Sequence, residues 1–121
     1  MSCVMDAHKK DLAGMQTDQL LAWRRELASW TVEDVEHVLA GSLAEQSRRC
    51  GKPGCRCADG EPHGPYAYFT PRPAGRGKAR YVPSSQEGAV RRCLRRAAEI
   101  GEMLAEISAV NAELLARREL E

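Results

Sequence analysis

No stretch of about 18 apolar residues occurs anywhere in the 121-residue sequence, which leaves no membrane-spanning helix to expect. The start, Met1 to Lys10, lacks the apolar core of a secretory signal, so a cytoplasmic protein without membrane association is the expectation. There is no Ser/His/Asp arrangement, no phosphate-cradling glycine loop and no pair of carboxylates suited to acid–base work, and we therefore expect no enzyme. A chain of this length rarely supports two independent cores, so a single domain, 1–121, is the expectation. A chain this short has a thin stability margin, to which a metal, a disulfide or a partner subunit would add several kcal/mol. Disulfides are the poorest of these staples here, because the cysteine count is odd, five, and no export signal precedes them.

Acidic residues are scarce in one place only. Residues 48–96 hold 12 Lys/Arg against 3 Asp/Glu, whereas 1–47 hold 4 against 8 and 97–121 hold 2 against 6. A net charge of +1 thus conceals a basic centre between two acidic flanks. A local positive field of that size suits a polyanion.

Composition divides the chain into four parts. Residues 1–16 show no pattern and read as a flexible tail. In the segment 17–41, Leu20, Trp23, Leu27 and Trp30 fall on one face of a helix, with Thr17 or Asp18 as its cap. A second short helix is expected from Thr31, continuing through Val35, Val38 and Leu39 to a stop at Gly41, so that the segment forms a helical hairpin. The segment 42–83 contains all six prolines, which excludes helix. Tyr66–Thr70 and Ala79–Val82 are β-prone runs either side of a Pro/Gly-rich turn and predict a hairpin, with Ser42–Arg49 as a third strand. In 84–121, Ser84-Ser85-Gln86-Glu87 starts a long helix. Its residues Val90, Cys93, Ala97, Ile100, Leu104, Ile107, Asn111 and Leu114 hold a heptad register. Either the N-terminal helix packs along that stripe or two copies of the chain pair through Ile100, Leu104, Ile107, Asn111 and Leu114. Asn111 would set the register of a homodimer. The fold class is α+β.

The sharpest signal is Cys50-Gly51-Lys52-Pro53-Gly54-Cys55-Arg56-Cys57, followed by His63, a C-x4-C-x-C-x5-H spacing. Structural zinc takes four Cys/His ligands in a tetrahedron, and the glycines and proline allow a short loop to wrap an ion. Three thiolates and a neutral imidazole around Zn2+ leave a charge of about −1, which Lys52 and Arg56 offset. Rival readings are a catalytic thiol, activated by Arg49, Lys52 and Arg56, and an iron–sulfur cluster. The first has no base paired with it, and the second does not match the ferredoxin spacing. His63 is the nearest fourth ligand and Cys93 the alternative; Cys3 and His8 belong to the tail.

Arg49–Cys57, then His63-Gly64-Pro65-Tyr66-Ala67-Tyr68, then Arg80-Tyr81-Val82-Pro83, resembles the signature of a family of small prokaryotic proteins with no settled activity. Members are met near transposases and site-specific recombinases. The resemblance covers about 42–83 and implies a mobile-element context, without supplying a reaction. Ala67 stands where an aromatic or β-branched residue belongs in that pattern, which implies a weaker strand with a less adhesive exposed face.

The leading expectation is a nucleic-acid-binding accessory protein, for DNA or RNA and DNA by preference, assisting a recombinase or transposase. Arg48, Arg49, Lys52, Arg56, Arg72, Arg76, Lys78 and Arg80 crowd onto the knuckle and hairpin. Arg91, Arg92, Arg95 and Arg96 extend the charge into the first turns of the helix, where its dipole disfavours cations. Tyr66, Tyr68, Phe69 and Tyr81 are either core beneath the sheet or platforms for bases, with core the expectation for Phe69. The alternative is a protein–protein adaptor built on the zinc knuckle and the heptad helix.

Overall fold

Leu20, Trp23 and Leu27 lie at helical spacing and need an apolar partner, and that requirement organises the ends of the chain. The computed structural model describes residues 10–73 and 76–121. Two compact units emerge: the described part of Met1–His37 together with Arg96–Glu121, and Val38–Arg95.

In the first unit, helix α1 (Thr17–Thr31) buries Leu20, Trp23 and Leu27. They pack with Met103, Val110 and Leu114 of the long C-terminal helix α2 (Ser84–Ala116), while Trp30 and Ile107 close the margin. The rings of Trp23 and Trp30 meet edge to face, 5.7 Å apart. Within one chain, the N-terminal helix thus packs along the heptad stripe. Its buried line runs Met103, Ile107, Val110, Leu114, and Leu104 points away, 56% exposed. A stripe facing one short helix follows the 3.6-residue period, which brings Met103 rather than Leu104 onto the contact line. Asn111 accepts a hydrogen bond from Arg24 Nη1 at 2.8 Å, and Arg24 also forks onto both carboxylate oxygens of Glu121, at 3.0 and 2.8 Å.

Three local expectations are corrected here. Gln16, not Thr17 or Asp18, is the N-cap: its N–H donates to Gln19 Oε1 at 2.8 Å, while the Thr17 hydroxyl donates to Glu119. The second helix from Thr31 does not form, so the helical hairpin reduces to a single helix. Thr31 closes α1 by donating to the Ala28 carbonyl, and Asp34 takes a left-handed φ of 53° that breaks any continuing ladder. Arg96 then donates to the Trp30 and Glu33 carbonyls and caps the helix end in place of a further turn. Residues 12–16, expected within a flexible tail, are instead part of the packed unit. Leu12–Gly14 forms a 3-10 turn, Leu12 and Met15 pack on the core, and Arg117 donates to the Leu12 and Ala13 carbonyls. Cys3 and His8 lie outside the described residues.

The second unit is an antiparallel sheet of β1 (Gly41–Arg48), β2 (His63–Pro71) and β3 (Arg80–Val82), in that order, joined by the first turns of α2. The expected hairpin and third strand are all present. Gly41 opens β1 opposite Pro71 instead of ending a helix, and a Cβ there would stand 2.7 Å from the Phe69 ring. Ala67, Phe69 and Val82 are buried on one face, against Leu39, Leu43, Val90 and Leu94. Ala67 thus belongs to the core face, not the exposed one: Phe69 two residues on points the same way, and the small side chain leaves room for the helix above. The helix α2 ends at Ala116 rather than continuing to 121. Arg118 adopts φ 61°, its N–H donates to the Leu115 carbonyl, and the Glu119 N–H donates to that of Leu114, a Schellman closure without glycine.

Leu27→Ala should cost about 2–5 kcal/mol in denaturant unfolding, since the side chain is fully buried. The Arg24 side chain, with a backbone amide second, holds the Glu121 carboxyl down to about 2 from an ordinary 4.5. A carboxyl depressed by folding stabilises above its unfolded value and loses that effect as pH falls. Glu121→Gln should therefore lower the thermal midpoint at pH 6, with the difference from the native protein vanishing by about pH 2.

Candidate metal centre

Strands β1 and β2 are joined by residues 49–62, a loop too long to be a simple turn and too polar to build a core of its own. Its ends are set by the sheet, where Arg48 pairs with His63 across a register shift that follows Gln46. Cys50 leaves β1 two residues past Arg48, and His63 is the first residue of β2. Between them Gly51 and Gly54 take φ of 75° and 79°, and a Cβ at either would meet nothing within 4 Å. Conformation rather than space is what requires glycine at these two turns. Cys55 then caps a 3-10 turn over Arg56–Ala58, whose middle residue is Cys57.

These turns bring Cys50, Cys55, Cys57 and His63 together, with all four ligand atoms within 4.8 Å of one another. Cys50 Sγ and Cys57 Sγ are 3.5 Å apart, and Cys55 Sγ is 3.2 Å from His63 Nε2. A tetrahedron with metal–sulfur bonds of about 2.3 Å and metal–nitrogen bonds of about 2.0 Å has edges of roughly 3.5–3.8 Å. Two of the separations lie close to that range and the others within 4.8 Å, so the four groups could hold a metal ion. Cys93 is not among them. It sits on α2, where its carbonyl accepts the Leu39 N–H at 3.2 Å, so of the two fourth-ligand candidates it is His63 that joins the cluster.

Backbone amides support the sulfurs. The Cys50 N–H donates to Cys57 Sγ at 3.3 Å and is the main cause that brings this thiol down to about 7. The Cys57 amide also pulls Cys55 down, but the neighbouring Cys50 and Cys57 side chains and burial outweigh it and leave Cys55 raised. Cys57 is buried while Cys50 and His63 face solvent, so the cluster is closed from beneath and open above. Arg49 Nη1 donates to the Gly60 carbonyl at 2.9 Å and ties the two arms of the loop.

The twelve basic residues singled out from the sequence meet three fates. Arg96 is spent on the carbonyls at the end of α1 and on Glu99, and Arg49 on the loop. Arg91 pairs with Glu87 at 3.2 Å, and Arg48 lies over the Tyr68 ring, 5.0 Å from its centroid. Lys52, Arg56, Arg72, Arg76, Lys78, Arg80, Arg92 and Arg95 are exposed, with no ion pair among the described residues. Of the oligomerisation candidates, Leu114 is fully buried and Ile107 packs beside it within the chain, Ile100 is half-buried, and Asn111 is held by Arg24. Leu104 alone is open. Sequence reasoning missed the Arg24–Asn111–Glu121 contact and the capping role of Arg96. Neither leaves a local signal, because the partners are 63 to 97 residues apart.

Native mass spectrometry of the purified protein should find one metal ion per chain. Cys55→Ser should lose it and melt at lower temperature, while Cys93→Ser should retain it. A metal-free native chain that unfolds at the same temperature as Cys55→Ser would remove the centre.

A family model described as a domain of unknown function, DUF6788, matches residues 17–92. That span takes in α1, the whole sheet, the cysteine cluster and the first turns of α2. No curated protein and no solved structure matches the chain. The match covers well over half of the 121 residues, and the chain belongs to this family, DUF6788.

Proposed function

We propose that the cluster of Cys50, Cys55, Cys57 and His63 holds a structural zinc ion and that the basic segment it braces binds DNA. Three thiolates and one imidazole form a borderline-soft tetrahedral donor set, which suits zinc. With four protein ligands no position stays open for a substrate, so the ion's work is to fold a loop and the protein acts by binding, not by catalysis. Among the described residues, no helix is long and apolar enough to cross a membrane.

One observation carries the DNA reading. Lys52, Arg56, Arg72, Arg76 and Lys78 on the loops of one small sheet, and Arg80 at the start of β3, are exposed and form no ion pair among the described residues. The only acids within 48–83 are Asp59 and Glu61. Duplex DNA presents a dense row of phosphates, and each one neutralised releases a counterion. A two-stranded ribbon such as β2–β3 also fits the major groove, where arginine reads guanine edges. The sequence resemblance noted for 42–83 supports a role beside a recombinase or transposase.

A protein-adaptor reading draws on Leu104 and Leu115 of α2, 56% and 63% exposed. Salt separates the two readings. DNA affinity should fall steeply between about 50 and 200 mM salt, because each phosphate contact adds about 0.9 to the logarithmic slope. Replacing Arg76, Lys78 and Arg80 together by Gln should weaken binding to any duplex and reduce that slope by two to three, with metal content unchanged. Binding that is salt-insensitive, or unaltered in the triple variant, would sink the DNA reading.

A further inference from the structure

The sheet has two faces, and among the described residues of its unit the apolar packing lies on one of them. Ala67, Phe69 and Val82 point toward Leu43, Val90 and Leu94, so the alternation of side chains along each strand turns their neighbours the other way. Those neighbours are Tyr66 and Tyr68 on β2 and Tyr81 on β3, all three tyrosines of the chain. The Tyr81 ring centroid is 6.1 Å from that of Tyr66 and 6.0 Å from that of Tyr68, with interplanar angles of 77° and 65°. Tyr81 is 55% exposed. A protein with six aromatic residues thus places half of them together on the face opposite the packed one, Tyr66 and Tyr68 half-buried and Tyr81 exposed.

We infer that this tyrosine face is a stacking platform for unpaired bases of single-stranded DNA, an inference that rests on the DNA reading above and narrows it. The chemistry of the face selects that occupant. The outward positions of β1 are Ser42, Ala44, Gln46 and Arg48, so no carboxylate stands among the strand residues that share the face with the rings. Arg48 already lies against Tyr68, in the geometry by which a guanidinium joins a stacked base. The two ends of β2 continue into the cationic metal loop with Lys52 and Arg56 and into the turn with Arg72 and Arg76. Bases can meet rings in the middle while phosphates meet cations at either end. In a duplex the faces of the bases are buried against one another, so the platform gains nothing there; in a single strand they are free.

The test is fluorescence polarisation with labelled oligo-thymidine, a mixed-sequence duplex of equal length and oligo-uridine, on the full chain with its metal content checked. Tyr81→Ala should weaken oligo-thymidine binding about 5- to 150-fold, the range for losing one stacked base, and leave the duplex unchanged. Its salt slope should stay that of the native protein, because no phosphate contact is lost. Tyr81→Phe and Tyr68→Phe should bind as the native chain does, since stacking needs the ring and not the hydroxyl. They also keep the test valid if the alanine variant fails to fold: a marked loss in both would overturn the platform. Unchanged oligo-thymidine binding by a folded Tyr81→Ala, with the Arg76/Lys78/Arg80 variant still impaired, would overturn this inference and leave the DNA reading standing. Tighter binding of oligo-uridine than of oligo-thymidine would overturn the assignment to DNA. Failure of the native protein to bind any of the three probes would overturn both readings together.

Discussion

A long polar loop between two paired strands has no core of its own to close it, and the groups here best able to do so are three sulfurs and an imidazole that could hold an ion. Residues 49–62 contain no large aliphatic or aromatic side chain that could collapse into a core, so hydrophobic burial cannot hold them. Hydrogen bonds help, through the Cys50 amide on Cys57 Sγ and the Arg49 bridge to Gly60, but each such bond is worth only about 1 kcal/mol net. Four donors within 4.8 Å are the one feature strong enough to offset the ordering of fourteen residues, once an ion is bound. The sheet fixes where the loop begins and ends, since Arg48 and His63 are partners across it.

The charge of the chain is arranged by the same logic of partners. Arginine appears in two roles that composition does not separate. Arg24, Arg96 and Arg117 reach across long sequence distances to carbonyls and carboxylates and tie down helix ends in the first unit. The cations on the loops of the sheet have no such partners among the described residues. A side chain with a rigid fork of donors serves either purpose equally well, which is why a run of arginines in a sequence is ambiguous until its surroundings are known.

Aromatic residues are divided in a similar way. The two tryptophans build the helical core against Met103 and its neighbours, whereas the tyrosines sit on a sheet whose packed face is satisfied by Ala67, Phe69 and Val82. Ala67 shows how misleading an isolated position can be. Small size weakens a strand that faces water, yet at the contact with α2 it allows helix and sheet to approach.

Much of this was written locally. The helical face of Leu20, Trp23 and Leu27, the start of α2 after Pro83, the three strands and the cysteine spacing all follow from short-range periodicity, turn chemistry and ligand count, and those act between neighbours in sequence. What was decided only by tertiary structure depended on partners far along the chain. The helix expected after Thr31 gives way at the left-handed Asp34, and Arg96, more than 60 residues later, donates to the Trp30 and Glu33 carbonyls in place of a further turn. The heptad stripe turned toward Met103 because α1 is its neighbour, and Asn111 answers Arg24. His63 rather than Cys93 joins the sulfurs because strand pairing carries it there. Spacing can name the groups able to meet; only the pairing of strands and helices determines which of them do.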